Sequence, residues 1–245
     1  MATAATGGAP CAAASVSAPT ISCWTSFRAA ASEEPFLKVE IELKLAAPPA
    51  VLEQVLALPA LASLIRSPAS DSTLISHYYD TPDCALRRHG MALRLRRVGG
   101  RWVQTLKSKG RVEEGLATRL EFDHPSDGAT LDFSEVPDAA LRAFLESPAV
   151  RPRLAPCFTT EFRRVAQQLD CPDGTVVELA LDRGEVRAGG AAAPIAEVEL
   201  ELLSGNPERL QELGALLQRH LPLVAEPVSK AERGYRLLPG CPAET

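Results

Sequence analysis

Glu40-Ile41-Glu42-Leu43-Lys44 sets two carboxylates and an ammonium at alternate positions, inside a run (Leu37 to Leu45) whose odd members are all aliphatic. The same division returns along the chain. Arg94 and Arg96 flank Leu95, and Arg119, Glu121 and Asp123 oppose Leu116, Leu120 and Phe122. Lys107 ends one alternating run, Glu178 and Asp182 lie in another, and Glu197, Glu199 and Glu201 in a third. A side-chain period of two belongs to a β-strand, so each run sends its charges to one face and its aliphatics to the other. One such face is that of an edge or half-solvated strand. At least five of them need a common destination. Charges held away from water must be paired or bound to ions. Clustered carboxylates call for a hard divalent cation, and clustered guanidinium and ammonium groups for an anion with several oxygens. Both in one space describe a polyphosphate held with Mg²⁺ or Mn²⁺.

The elements that must position these charges follow from the same periodicity. If the aliphatic faces form the core with flanking helices, the charged faces look inward together only in a sheet closed on itself. An eight-stranded barrel is wide enough to hold one small ligand. The spacing predicts strands over 37–45, 74–79, 91–98, 102–107, 116–123, 158–165, 176–182 and 195–203, with a Gly99-Gly100 hairpin turn. Helices are predicted over about 49–65, 138–146 and 207–220, with Lys230 in the tail beyond them. The expected fold class is α+β: a closed eight-stranded antiparallel barrel with a charged lumen and flanking helices. Arg163 and Arg164 are adjacent, so one faces inward and the other outward, and the pattern alone leaves which one open.

Residues 1–34 stand apart as a leader, rich in Ala, Ser, Thr and Gly, with no acid before Glu33 and Arg28 as their one arginine. Such a segment is expected to be disordered and dispensable, and its composition also fits an organelle transit peptide. A single domain is expected over 35–240, in the cytoplasm unless the leader redirects it. A net charge of −5 makes a poor general nucleic-acid binder. No apolar run reaches the ~20 residues of a membrane helix. The cysteines are scattered, with no CxxC pair, and read as inert thiols of a reduced protein with neither zinc nor disulfides. The histidines lie in unrelated segments and offer no metal site.

Ordered companions of the Glu40-to-Lys44 motif identify a resemblance. They are Tyr78-Tyr79-Asp80-Thr81-Pro82-Asp83, Ala92 to Arg97, Trp102 to Lys107, Arg119-Leu120-Glu121, Phe162-Arg163-Arg164, Ala180 to Gly184, Glu197 to Glu201 and Ser229 to Gly234. Over roughly residues 36–238 the chain resembles the CYTH family of triphosphate tunnel metalloenzymes, which includes inorganic triphosphatases, thiamine triphosphatases and class IV adenylate cyclases. The resemblance implies an eight-stranded tunnel with Glu40, Glu42, Glu197 and Glu199 as metal ligands and Glu201 as a helper. It implies phosphate contacts from Lys44, Arg94, Arg96, Lys107, Arg119, Arg164 and Lys230, and catalytic parts for Glu121, Asp182 and Lys107. Tyr78 and Lys107 match a Tyr–Lys pair of the thiamine triphosphatase branch, although Tyr78 also suits a packed strand aromatic. The histidine-rich helical domain that follows some tunnels is not expected here. The expected activity is Mg²⁺- or Mn²⁺-dependent hydrolysis of inorganic tripolyphosphate by a monomer or homodimer, without nucleic-acid or membrane partners. Hydrolysis of thiamine or nucleoside triphosphate, cyclisation of ATP, and non-catalytic polyphosphate or nucleotide binding are the alternatives.

Overall fold

The period-two runs become strands, several of them longer than their alternation alone indicates. The computed structural model describes residues 36–241, apart from Lys109 and Glu114; the leader lies outside the described residues. In chain order the elements are β1 (Phe36–Ala46), α1 (Leu52–Val55), β2 (Ser70–Asp80), α2 (Ala85–Arg88), β3 (Met91–Val98), β4 (Arg101–Ser108), β5 (Arg111–Glu113) and β6 (Leu116–Ser126). They continue as α3 (Ala139–Leu145), β7 (Ala155–Asp170), β8 (Val176–Ala188), β9 (Ala191–Ser204), α4 (Glu208–His220), β10 (Val224–Ala225) and α5 (Lys230–Leu237). Neighbouring strands run β1-β9-β8-β7-β2-β3-β4-β6, and β1 pairs back onto β6. That last pairing closes an antiparallel barrel of eight strands; β5 and β10 are short additions at its rim. The β3–β4 hairpin turns on Gly99 and Gly100, with φ of 54° and 89°, a left-handed pair that few side-chain-bearing residues would tolerate.

Two aliphatic clusters cover the outside of the barrel. Leu43, Leu45, Leu179, Leu181, Val198 and Leu200 pack under α1 and α4, which contribute Leu52, Val55, Leu210, Leu213 and Leu217. Leu93, Leu106 and Phe122 pack under α2 and α3, with Phe133 between them. The third cluster is internal. Tyr78, Phe158, Phe162, Val186 and Ile195 share strand faces with Arg164, Asp182 and Glu197, and Tyr235 of α5 packs among them. α5 therefore closes one side of the lumen. It approaches so closely that a Cβ on Gly234 would lie 2.2 Å from the Phe158 ring.

The helix expected over 49–65 breaks into α1 and a 3₁₀ turn at Pro59–Leu61, because Pro59 lacks the N–H that a continuous helix needs. Lys230, placed by the sequence reading in the tail beyond the last expected helix, opens the further helix α5. Ser229 caps that helix by accepting from the Glu232 amide at 3.1 Å.

The cysteine expectation is also overturned. Cys84 and Cys241 form a disulfide, with Cα atoms 5.9 Å apart, because α5 returns the chain to the start of α2. Cys157 and Cys171 are free; Cys11 and Cys23 lie outside the described residues. The cross-link spans 157 positions. Opening it with a dithiol reductant should cost about 2–4 kcal/mol of unfolding free energy. A melting temperature that does not move on reduction would show that the bond does not form in solution.

No helix among the described residues is long and apolar enough to cross a membrane.

Candidate functional site

Strand register assembles the site from residues far apart in the chain. Glu40 of β1 lies opposite Arg119 of β6, and Lys44 lies opposite Glu199 of β9. Asp182 of β8 lies opposite both Glu197 of β9 and Arg164 of β7. Alternation then turns all of these side chains to the inner face.

One group gathers around β1 and β6. Glu40 accepts from Lys107 Nζ at 2.8 and 2.9 Å and from Arg119 Nε at 2.6 Å. Arg119 also donates to Glu42, and Lys107 Nζ lies 2.5 Å from Glu121. A second group centres on Lys230. Its ammonium lies 2.6 Å from Asp182 and 2.8 Å from Glu199, and donates to Glu197. Arg164 forks onto Asp182, with Nε and Nη2 each at 2.7 Å, and also donates to Glu199. Lys44 joins the two groups, at 3.3 Å from Glu42 and 3.1 Å from Glu199.

The third group differs in kind. Among the described residues, neither Arg94 nor Arg96 makes a direct ion pair with a carboxylate, and the buried Arg94 Nε has no hydrogen-bond acceptor. Arg96 Nε donates to Ser76 Oγ at 2.9 Å. Tyr78 stacks on Phe158 with centroids 4.5 Å apart; burial would raise its phenol, but Arg94 and Arg96 beside it hold it below the usual range. It thus serves both as a packed aromatic and as a polar group of the lumen. Burial, then repulsion from Arg94 and Arg164, pushes Arg96 down to about 10. Arg96, repelled by Arg94 and Arg164, and Arg94, which Glu121 and Asp123 attract from beyond ion-pair contact, form an anion-attracting surface.

The acids are shifted the other way. Burial would raise Glu42, but Lys44 and Arg119 outweigh it and hold the carboxyl at about 2. Glu121 and Glu199 also lie well below the ordinary range: burial opposes ionisation, but Lys107 and Arg94 prevail at Glu121, and Lys230 and Lys44 at Glu199. Asp123 is raised, by burial and then by Glu121 beside it. A carboxyl depressed on folding adds stability above its unfolded value, and that stability is lost as pH falls through the folded value. Metal-free protein should therefore lose melting temperature as pH drops from about 4.5 toward 2. Glu42→Gln should flatten that descent. An identical descent in parent and variant would show that Glu42 does not carry it.

The structure brings together Glu40, Glu42, Lys44, Lys107, Arg119, Glu121, Arg164, Asp182, Glu197, Glu199 and Lys230 in one ion-paired lining. Arg164 is the inward residue of its pair; Arg163 points out and binds the exposed Asp71. Glu201 is reached by Lys38 at 2.9 Å. Three participants escaped the sequence reading. Lys38 also meets Glu121 at 3.4 Å, and its place in the first alternating run was the signal for it. Arg233 donates to Glu197 at 2.6 Å, and Tyr235 donates to Asp80 at 2.9 Å. Both depend on α5, which the Ser229-x-x-Glu232 capping pattern announces. The histidines disperse as expected, His77 to Thr159 and His124 to Asp132.

Asp182, Glu197 and Glu199 each offer a buried carboxylate oxygen, all within 4.8 Å of one another. Three converging anionic oxygens fit a hard divalent cation, and the cationic Lys230 among them marks the point where positive charge is favoured.

The comparisons agree with this geometry. A curated inorganic triphosphatase of Haemophilus influenzae is 35% identical over 203 residues, covering 81% of this chain and 54% of that protein. The chain thus spans about half the length of the relative it matches. The solved structure of HpAC1 from Hippeastrum, described as an adenylyl cyclase candidate with a dominant triphosphatase activity, superposes with a TM-score of 0.53 at 22% identity. It covers 82% of this chain and 98% of its own. An adenylate cyclase candidate from Bacillus halodurans superposes at 0.52 and 17% identity, covering 83% and 99%. At those identities the likeness speaks for the fold. The CYTH domain model matches residues 38–235, from within β1 to within α5, and the chain belongs to the CYTH domain family.

Proposed function

We propose that this chain hydrolyses inorganic tripolyphosphate to pyrophosphate and phosphate with the help of Mg²⁺ or Mn²⁺. The observation that carries the reading is the unequal pairing in the lumen. Most cations there are in direct contact with carboxylates, whereas among the described residues Arg94 and Arg96 make no direct ion pair and keep donors for an incoming anion, the buried Arg94 Nε among them. The relative from Haemophilus influenzae bears the name inorganic triphosphatase, which favours the same substrate.

Asp182, Glu197 and Glu199 would hold the divalent ion, with Glu40 and Glu42 across Lys44 as the second acidic pair. When bound, the ion neutralises phosphate charge and acidifies a coordinated water. The residues of the chain do the rest. Arg94 and Arg96 bind phosphate oxygens through forked donors, and Lys44, Lys107, Arg119, Arg164 and Lys230 exchange carboxylate contacts for phosphate ones. Glu121 and Asp182 keep Lys107 and Arg164 aimed inward until then. A water oxygen bonds to the terminal phosphorus, the bond from that phosphorus to the bridging oxygen breaks, and pyrophosphate leaves with the electron pair. Charge builds on the bridging oxygen, where fixed cations stabilise it without reorganising.

A panel tests the assignment. Phosphate and cyclic AMP release would be followed from tripolyphosphate, thiamine triphosphate and ATP, with each metal. Tripolyphosphate should be turned over fastest. Faster thiamine triphosphate hydrolysis would move the assignment to the branch that Tyr78 and Lys107 suggest, and cyclic AMP release would make the protein a cyclase. Tight binding of tripolyphosphate without turnover would make it a binding module.

A further inference from the structure

Three cations converge on one buried ring. Lys230 Nζ lies 4.8 Å from the centroid of Phe162, the Arg96 guanidinium carbon 5.6 Å and that of Arg164 5.7 Å. They come from α5, β3 and β7, and Phe162 itself is 1% exposed. The other internal aromatics are occupied differently. Phe158 stacks on Tyr78 and meets Tyr235 edge-on at 5.1 Å. β8 makes room for Phe162 at Gly184, directly opposite, where a Cβ would lie 2.6 Å from that of Phe162.

We infer that Phe162 is a positioning residue for phosphate recognition, its ring holding Arg96, Arg164 and Lys230 together where the anion binds. The inference rests on the tripolyphosphate reading above and adds a residue to it. An aromatic face carries negative quadrupolar charge and attracts a cation within about 6 Å, most strongly where water is excluded. The three cations are not equally in need of it. Arg164 and Lys230 have carboxylates, so their positions are fixed twice over. Among the described residues Arg96 donates to the Ser76 hydroxyl and makes no direct ion pair, and its neighbours Arg94 and Arg164 are also positive. An aliphatic side chain of similar size would fill the same space and leave Arg96 to be repelled from its place. The ring offsets that repulsion without a negative charge, which would compete with phosphate for the guanidinium.

Fluorination of the ring separates electrostatics from shape, because it drains the face while keeping nearly the same volume. Full-length protein carrying phenylalanine with one, two or three ring fluorines at 162 would be titrated with tripolyphosphate by calorimetry, and its melting temperature and kinetics measured. The expected result is a stepwise fall in affinity, about tenfold across the series. KM should rise more than kcat falls, and any drop in melting temperature should be small beside the loss of affinity, since the ring also steadies Arg96 before the anion arrives. Affinity independent of fluorine number would overturn the inference, as would a fall in affinity that merely follows a fall in melting temperature. Two natural substitutions extend the test. Phe162→Tyr should keep more affinity than Phe162→Leu, and equal affinities in both would also overturn it. A parent protein that binds no tripolyphosphate would overturn the functional reading and this inference together. A flat series on a binding parent removes only the role of Phe162.

Discussion

Glu199→Gln is expected to lower tripolyphosphate turnover at limiting Mg²⁺ by at least about a hundredfold, the scale of a few kcal/mol of lost charge stabilisation. Glu199 belongs to the trio with Asp182 and Glu197, and its carboxylate also meets Lys230, Lys44 and Arg164. Glutamine keeps the shape and part of the hydrogen bonding while deleting the charge, so the exchange isolates the electrostatic part. Some of the loss should return at higher metal concentration, as it would not if only the fold had been damaged. Glu40→Gln makes the informative comparison, because that carboxylate is held by Lys107 and Arg119. If Glu40 and Glu42 share the metal as the family resemblance implies, both glutamine variants should show the same metal-dependent recovery. If the trio acts alone, Glu40→Gln should lose activity that added metal does not restore. Near-parental turnover of Glu199→Gln at limiting metal would remove the trio as the metal site.

Arg94→Ala and Arg96→Ala should weaken tripolyphosphate binding far more than they weaken the fold. Each removes charge-assisted hydrogen bonds to phosphate worth roughly 1.5–3 kcal/mol apiece, which is about ten- to hundredfold in affinity. The folding side differs between the two. Burial, Arg94 and Arg164 disfavour the Arg96 charge, so ligand-free stability of Arg96→Ala should hold or rise, whereas Glu121 and Asp123 favour the Arg94 charge, so Arg94→Ala should give up a little. Calorimetry and thermal melting on the same samples read both halves. Parental affinity in either variant would mean that its guanidinium does not meet the anion.

What was legible in the sequence was whatever period two writes locally. Alternation in residues 37–45 and 195–203 assigned every side chain of those strands to the correct face, because a strand has only two. Arg163 and Arg164 mark its limit. The period separates them, but only pairing with β8 decides which one meets Asp182. The two acidic groups are invisible for the same reason: membership is set by which strands are neighbours, and Glu42 and Glu199 meet through Lys44 across a junction that no local pattern encodes. α5 was missed because charge dominates its sequence, and its apolar contacts are concentrated at Gly234 and Tyr235. The Cys84–Cys241 bond depends on that helix in turn, so it could not be anticipated without it.

The closing strand of the barrel is the first to be made. β1 pairs with β6 on one side and β9 on the other, so both of its edges wait for partners synthesised later. The Lys38–Glu201 contact spans 163 residues, placing part of the lumen among the slowest contacts to form, since loop closure must precede the pairing that rewards it. Until β9 leaves the ribosome, β1 offers an unpaired edge, and its exposed Leu37 and Val39 leave that edge prone to wrong pairing. The alternating charges of Lys38, Glu40, Glu42 and Lys44 then act before any substrate is present. They keep a nascent strand that is half aliphatic from stacking on another copy of itself.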